Sequence, residues 1–173
     1  GFRFTRLPGW LGNSDYERDE SKMMDIIVRE FDERDAEAVS RLIRNNLMFV
    51  NSRDYETSVI DYMCGLFTPA YLRDMMATRA MFVAEENGKV VGTVGLEGDE
   101  VCALYVDPEV HGRRVGERLL RQIEDFALSR HVHLVHLSAS LTAVGFYEKM
   151  GYSSKEKEES ELFGPAYIMT KLL

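Results

Sequence analysis

Cysteine is scarce in this chain: Cys64 and Cys102 are the only two, in neither a CxxC nor a metal-ligand spacing. That argues against a disulfide-stapled scaffold and a cysteine metal site. The two thiols read as buried, reduced, small hydrophobes of a cytoplasmic protein. Positive charge is in deficit, with 21 Lys and Arg against 29 Asp and Glu and a net charge of −8, which argues against nucleic acid as a partner. No apolar run approaches membrane-spanning length, so no membrane partner is expected. The first residues lack the apolar core of a signal peptide. Neither GxxxxGK(S/T) nor GxGxxG occurs, which argues against a nucleotide-binding domain of those kinds. Repeats and low-complexity segments are missing as well.

What remains is a chain of 173 residues with ordinary apolar and charged fractions, 45% and 29%, long enough for one good core. Residues 1–22 read as an N-terminal extension. Met23-Met24, directly before the first strand, offers an alternative start. A tail of this kind is expected to be held by something, a neighbouring chain among the options, which leaves a homodimer open. A single domain then spans residues 23–173.

Ile26–Phe31 is β-branched and reads as a strand. Asp32 opens a helix as N-cap with Asp35 three residues on, and Val39, Leu42, Ile43 and Leu47 repeat at helical spacing. Asn45-Asn46 marks the end of that helix, and two short helical patches follow, around 55–66 and 70–77. Residues 81–86 and 89–96 flank Asn87-Gly88, a hairpin with a type I′ turn. Gly98-Asp99 turns into a third strand, 100–106. A helix from about 113 to 130 carries the stripe Val115, Leu119, Leu120, Ile123, Phe126, Ala127. Residues 132–137 read as a buried strand parallel to the third. Ser140 caps a short helix that ends at Met150, with Gly151 as its left-handed cap. A strand begins at 152–154, residues 153–161 read as a charged loop, and 167–172 is the last strand. The order β-α-α-β-β-β-α-β-α-β-β predicts a layered α+β domain: a mixed central sheet, mostly antiparallel with one parallel pair, flanked by helices.

The chain is organised around Leu104–Gly116, running into Glu117–Leu120. A strand leads through a tight glycine-containing turn into the first turn of a helix. Such a turn aims unpaired backbone N–H groups and the positive end of a helix dipole at one spot, which suits a phosphate. His111, Arg113 and Arg114 add side-chain charge there. Arginine at a helix N-terminus opposes the dipole, so two of them ask for an anion. His131, His133 and His136 invite a metal, but on a strand 131 and 133 share a face and 136 points opposite, so no metal site is expected.

This order, with these residues, resembles the GNAT superfamily of acyl-CoA-dependent N-acyltransferases. Leu104–Pro108 followed by His111–Leu120 is similar to the family's pyrophosphate loop, Arg/Gln-x-x-Gly-x-Gly/Ala. Ser140–Tyr152 is similar to its Asn-x-x-Ala-x-x-Phe-Tyr-x-x-x-Gly-Phe block. The resemblance covers roughly residues 26–172. Three positions depart from the pattern: His111 for Arg or Gln, Arg114 for Gly, and Ser140 for Asn. Arg114 matters most, because a glycine there lets the backbone approach phosphates closely. An arginine with helical φ/ψ can still offer its N–H and fork onto phosphate.

The resemblance implies a GNAT-like sheet and an N-acetyltransferase that uses acetyl-CoA as cosubstrate, with no metal. The acetyl group would pass to a primary amine of a small molecule or peptide, by direct attack in a ternary complex. The phosphate turn would hold the cofactor through His111, Gly112, Arg113, Arg114, Val115, Gly116 and Glu117. Leu104, Tyr105 and Val106 would serve the pantetheine arm and the oxyanion, and Ser140, Ala143 and Phe146 the opposite wall. An amine of pKa ~10.4 is neutral about one part in a thousand at pH 7, a handicap of roughly 4 kcal/mol. A base or desolvation must offset it. Glu97 and Glu100 are the carboxylates near the central strand, although solvation of the Gly98-Asp99 turn explains them equally well. The leaving thiolate, pKa ~8.5, needs only a donor of modest acidity. Tyr147 matches the family's tyrosine in that role, and packing beside Phe146 is its other reading. Substrate contacts would come from Asn51, Tyr55 and Phe163. The charges of Glu156, Glu158, Glu159 and Glu161 read first as solvated, second as an attraction for a cationic amine. The alternative to an enzyme is a catalytically silent acyl-CoA-binding or regulatory module of the same fold.

Overall fold

The Asn87-Gly88 turn sets the first half of the sheet. Both residues take positive φ, 50° and 79°, as a type I′ turn requires, and they join β2 (Ala80–Glu86) to β3 (Lys89–Glu97). Gly98, at φ 62°, turns the chain again into β4 (Glu100–Val106). β1 (Ile26–Glu30) pairs with the outer edge of β2. In this computed structural model residues 25–173 are described, so the readings of residues 1–22 and of Met23-Met24 lie outside them. β5 (Leu134–Ala139), β6 (Ser153–Ser160) and β7 (Gly164–Leu172) complete one sheet in the order β1-β2-β3-β4-β5-β7-β6. Every neighbouring pair is antiparallel except β4–β5. The architecture is the expected mixed α+β sheet with one parallel pair.

Helices cover both faces. α1 (Ala36–Phe49), α2 (Thr57–Leu66) and α3 (Pro69–Met75) lie between β1 and β2, where the sequence predicts three helical stretches although the condensed element order counts two; α4 (Val115–Ser129) follows β4, and α5 (Val144–Lys149) follows β5. β2 divides the core by simple alternation. Phe82 and Ala84 join the cluster of α4 residues Val115, Leu119, Leu120, Ile123 and Ala127. Met81 and Val83 join that of Val39, Ile43, Leu47, Ile60, Leu72 and Met75 from α1–α3.

Several local expectations change. Asp32 does form a capping box with Asp35, but around a 3-10 turn, Glu33–Asp35, that leads into α1. Asn46 does not end α1; it lies buried inside the helix, its Nδ2 donating to the Leu42 carbonyl at 3.1 Å. β5 starts at Leu134, so His131, at φ 62°, and His133 precede the strand instead of sharing its face. Ser140 is not the cap of α5. Ala143 holds that position, and the Ser140 carbonyl accepts from the Ala143 N–H at 2.9 Å. The strand expected to begin at 152–154 runs on through the charged stretch to Ser160, where a loop was expected. Among the described residues it pairs only with β7, and seven of its eight residues, all but Ser160, are exposed. A solvated edge strand has no buried face to give period-two hydrophobicity, and Lys and Glu there block further pairing. Neither cysteine is fully buried; both are half-buried and free.

Candidate functional site

The parallel pair supplies the opening. β4 and β5 are in register only at Glu100–His136, while β4 runs on from Val101 to Val106 without a β5 partner. β4 is also bulged. Cys102 faces Gly95 and Tyr105 faces Thr93, so Ala103 and Leu104 together oppose Val94. Ala103 takes φ 50°, a left-handed backbone that is uncommon for a non-glycine residue. The bulge resets the alternation: Val101, Leu104 and Val106 all pack on the α4 side, and Tyr105 packs on the α1–α3 side. A groove of about 930 Å³ follows the opening. Leu104, Val106, Ala143 and Phe146 line it on the α4 side, and Tyr55, Met63, Phe67 and Tyr105 on the other.

At the C-terminal end of β4 the chain makes the turn foreseen from sequence. The Asp107 carboxylate accepts from the Glu109 N–H at 3.0 Å, and Pro108 begins a 3-10 turn. Gly112 sits at φ 80° with open space where a Cβ would be. The first turn of α4 leaves the N–H groups of Val115, Gly116 and Glu117 without intrahelical acceptors, because the first i−4 bond runs from Arg118 to the Arg114 carbonyl at 3.0 Å. These donors, the helix dipole and the glycine gap together fit a pyrophosphate.

The arginines behave differently from expectation. Arg114 is not helical: at φ 61°, ψ 20° it is the left-handed N-cap of α4, a conformation costing a non-glycine residue about 1–2 kcal/mol. Its guanidinium turns back onto Glu117, with Nε–Oε2 at 2.8 Å and Nη2–Oε1 at 2.7 Å. That contact holds the Glu117 carboxyl below its usual range. Arg113 is not part of the groove. Its side chain packs inward against the end of β2, where Nη1 donates to Glu86 at 3.2 Å, and it braces the turn from beneath. The His111 Nε2–H donates to the Val106 carbonyl at 3.1 Å, so the ring closes the end of β4.

Tyr147 lies on the same groove. It is 7% exposed, its ring edge-on to Phe146 at 5.2 Å and to Tyr152 at 5.6 Å. Among the described residues its hydroxyl has no hydrogen-bond partner. Burial raises the phenol well above its ordinary value, which keeps it protonated at neutral pH. Tyr105, also raised by burial, stands edge-on to Phe67 at 6.1 Å. Tyr152 is raised by burial and by Glu124, which accepts from its hydroxyl at 3.0 Å. Folded-state values above the unfolded value of ~10 mean that stability is full below pH ~10 and falls above it, where only the unfolded chain readily releases these protons. Thermal unfolding across pH 8–11 is therefore expected to give a flat Tm below the unfolded tyrosine pKa and a decline above it. Absorbance at the phenolate band should show these three tyrosines titrating last.

Of the two carboxylates named from sequence, Glu97 is engaged elsewhere. Arg79 Nε donates to it at 2.6 Å, and it does not line the groove. Glu100 does line it, at the closed end where β4 meets β5. Asn51, Tyr55 and Phe163 all reach the α1–α3 side of the groove. Tyr55 donates to the Pro165 carbonyl at 2.8 Å, and Phe163 stands edge-on to Tyr62 at 5.6 Å.

Residues 77–154, which hold β2, β3, β4, the turn, α4, β5 and α5, match the family model of the acetyltransferase (GNAT) domain. Over those residues the chain is similar to the GNAT acetyltransferases. The peptidyl-lysine N-acetyltransferase YjaB of Salmonella typhimurium is 29% identical over 103 residues, 58% of this chain and 68% of its own. A GCN5-related N-acetyltransferase structure from Rhodopseudomonas palustris superposes with a TM-score of 0.79 at 24% identity, over 85% of this chain and 95% of that one. The PaiA N-acetyltransferase of Thermoplasma acidophilum, solved in complex with coenzyme A, gives 0.76 at 18% identity over 86% and 99%.

The sequence reading missed part of the groove wall. Met63, in the last turn of α2, and Phe67, the C-cap whose N–H donates to the Met63 carbonyl, stand four residues apart, a spacing that could have flagged them beside Tyr55. Glu158 lines the groove from β6, an assignment available only once 153–160 is known to be a strand. Among the described residues no helix is long and apolar enough to cross a membrane.

Proposed function

We propose that this protein transfers an acetyl group from acetyl-CoA to an amine by direct attack, both substrates being bound together. The carrying observation is that one groove joins the open phosphate turn, through the gap between β4 and β5, to an apolar chamber on the other face, with the Tyr147 hydroxyl, unpartnered among the described residues, along it. The first-turn amides of α4 and the Gly112 gap hold pyrophosphate. Leu104 and Val106 bury the apolar arm, and backbone N–H groups of the bulged β4 stabilise the oxyanion on the thioester carbonyl. The amine loses its proton to a base or to water in the chamber, Glu100 being the groove carboxylate named for this step. Tyr147 donates to the departing sulfur as the C–S bond breaks. A raised phenol is a poor acid toward a thiolate of pKa ~8.5, but a thiolate forming in the same apolar groove is raised too, which narrows the gap.

The test is thiol release from acetyl-CoA by the purified chain across a broad amine panel. Amine-dependent release supports transfer. Tight acetyl-CoA binding with no release above background would leave the silent module of the same fold. Gly116 gives a sharper check of the turn. A Cβ there would meet Phe146 at 3.4 Å and Val106 at 3.6 Å, ordinary contacts, so Gly116→Ala should leave acetyl-CoA affinity within about threefold. Gly116→Val adds branches to a filled space, and overpacking of about 1–3 kcal/mol should weaken acetyl-CoA binding by roughly tenfold or more in calorimetry.

A further inference from the structure

We infer that the acceptor is a small monoamine with an apolar or aromatic body, and that a peptide lysine is a poor substrate; this rests on the acetyl-transfer reading above. Three contacts join the two walls at the acceptor end of the groove. The Tyr55 hydroxyl donates to the Pro165 carbonyl at 2.8 Å. The Tyr55 ring lies against Gly164, close enough that a Cβ there would come within 2.6 Å of it. The Phe163 ring meets Tyr62 edge-on at 5.6 Å. The segment from Tyr55 to Tyr62 and the β6–β7 connection thus meet across the chamber, where an extended peptide would need them apart.

The chemistry of the walls points the same way. Tyr55, Met63, Phe67, Tyr105 and Phe163 present apolar surface, much of it aromatic, suited to an apolar body. Glu158 lines this half of the groove from β6 and Glu100 lines it from the β4–β5 junction; the basic side chains that line the groove, His111 and Arg114, sit at the phosphate turn. Among the described residues Glu158 has no ion-pair partner. A protonated amine is drawn by that carboxylate, and an acceptor carrying its own carboxylate would be desolvated with no cation to receive it.

The experiment uses the full 173-residue chain with 2-phenylethylamine, phenylalanine and a lysine-containing heptapeptide. Amide formation is followed by mass spectrometry, and binding of each acceptor is measured by calorimetry with CoA present. The expected result is a kcat/KM for phenylethylamine at least about tenfold above either competitor, with binding in the same order. Phe163→Ala should raise the phenylethylamine KM by roughly fivefold and leave the acetyl-CoA KM unchanged. Tyr55→Phe, which keeps the ring and deletes the bond to Pro165, should narrow the preference over the peptide. A peptide acetylated as well as or better than phenylethylamine overturns the inference, as does phenylethylamine failing to bind. Acetyl-CoA binding, measured separately, tells the two readings apart: with it intact, a peptide preference sinks only the acceptor assignment, and its loss sinks the acetyl-transfer reading itself.

Discussion

Replacing Tyr147 by phenylalanine is expected to lower kcat by about 10²–10³-fold, with acetyl-CoA affinity changed less than about twofold. The asymmetry follows from where the hydroxyl stands. The ring packs between Phe146 and Tyr152, and phenylalanine keeps those edge contacts, so the groove retains its shape. Since the hydroxyl makes no bond to the described residues, its deletion leaves no buried partner stranded, and stability should hold within about 1 kcal/mol. What goes is a donor toward the sulfur as charge develops there, an interaction that matters in the transition state and little before it. A structural role alone predicts the reverse: lower Tm, weaker acetyl-CoA binding and a modest effect on kcat. Steady-state kinetics and a thermal melt on one preparation separate the two.

Leu119→Ala is expected to destabilise the fold by about 3 kcal/mol, the mid-range for a large-to-small core substitution, and to lower Tm by roughly 6–12 °C for a domain of this size. Leu119 is fully buried at the centre of the α4 cluster. Its Cδ1 fills the space over Gly92 of β3, 2.7 Å from where a Cβ would stand. Here the lack of a side chain on the strand allows a large one on the helix. Gly92→Ala alone should also destabilise, since the new methyl meets Leu119, the Tyr105 carbonyl and Val115. The double variant should be less damaging than the sum of the singles, because the methyl enters part of the space the leucine vacates. As α4 carries the phosphate turn at its N-terminus, Leu119→Ala should also weaken acetyl-CoA binding near its lowered Tm and leave it nearly unchanged well below.

Much of this fold could be read from the chain because local chemistry and tertiary packing agree. Asn87-Gly88 permits two successive positive φ values, and the Val115–Ala127 stripe has one face to bury. Tyr147, the turn and its glycines were legible because their spacing is sequential. What escaped depends on partners distant in sequence. Residues 153–160 look like a loop because their strand is an edge with water on both faces. Arg113 and Arg114 are neighbours of identical chemistry, and only Glu86 below and Glu117 beside them decide that one braces the turn and the other folds back along it. Ala103 carries no mark of its left-handed backbone. The sole trace of the bulge is that Val101, Leu104 and Val106, spaced three and then two, all face one core. Glu97 and Glu100 are cross-strand partners, yet Arg79 takes one and leaves the other on the groove.

The fate of the acetyl carbon distinguishes direct attack from an acyl-enzyme route. Carbon-labelled acetyl-CoA, the purified chain and an accepted amine can be followed by mass spectrometry of both small molecules and intact protein. Direct attack predicts labelled amide and free CoA thiol in equal amounts, with no acetyl mass on the protein when amine is withheld. Label appearing first on the protein, on the groove thiol Cys102 for instance, or thiol released with acetate and no amide, would contradict it.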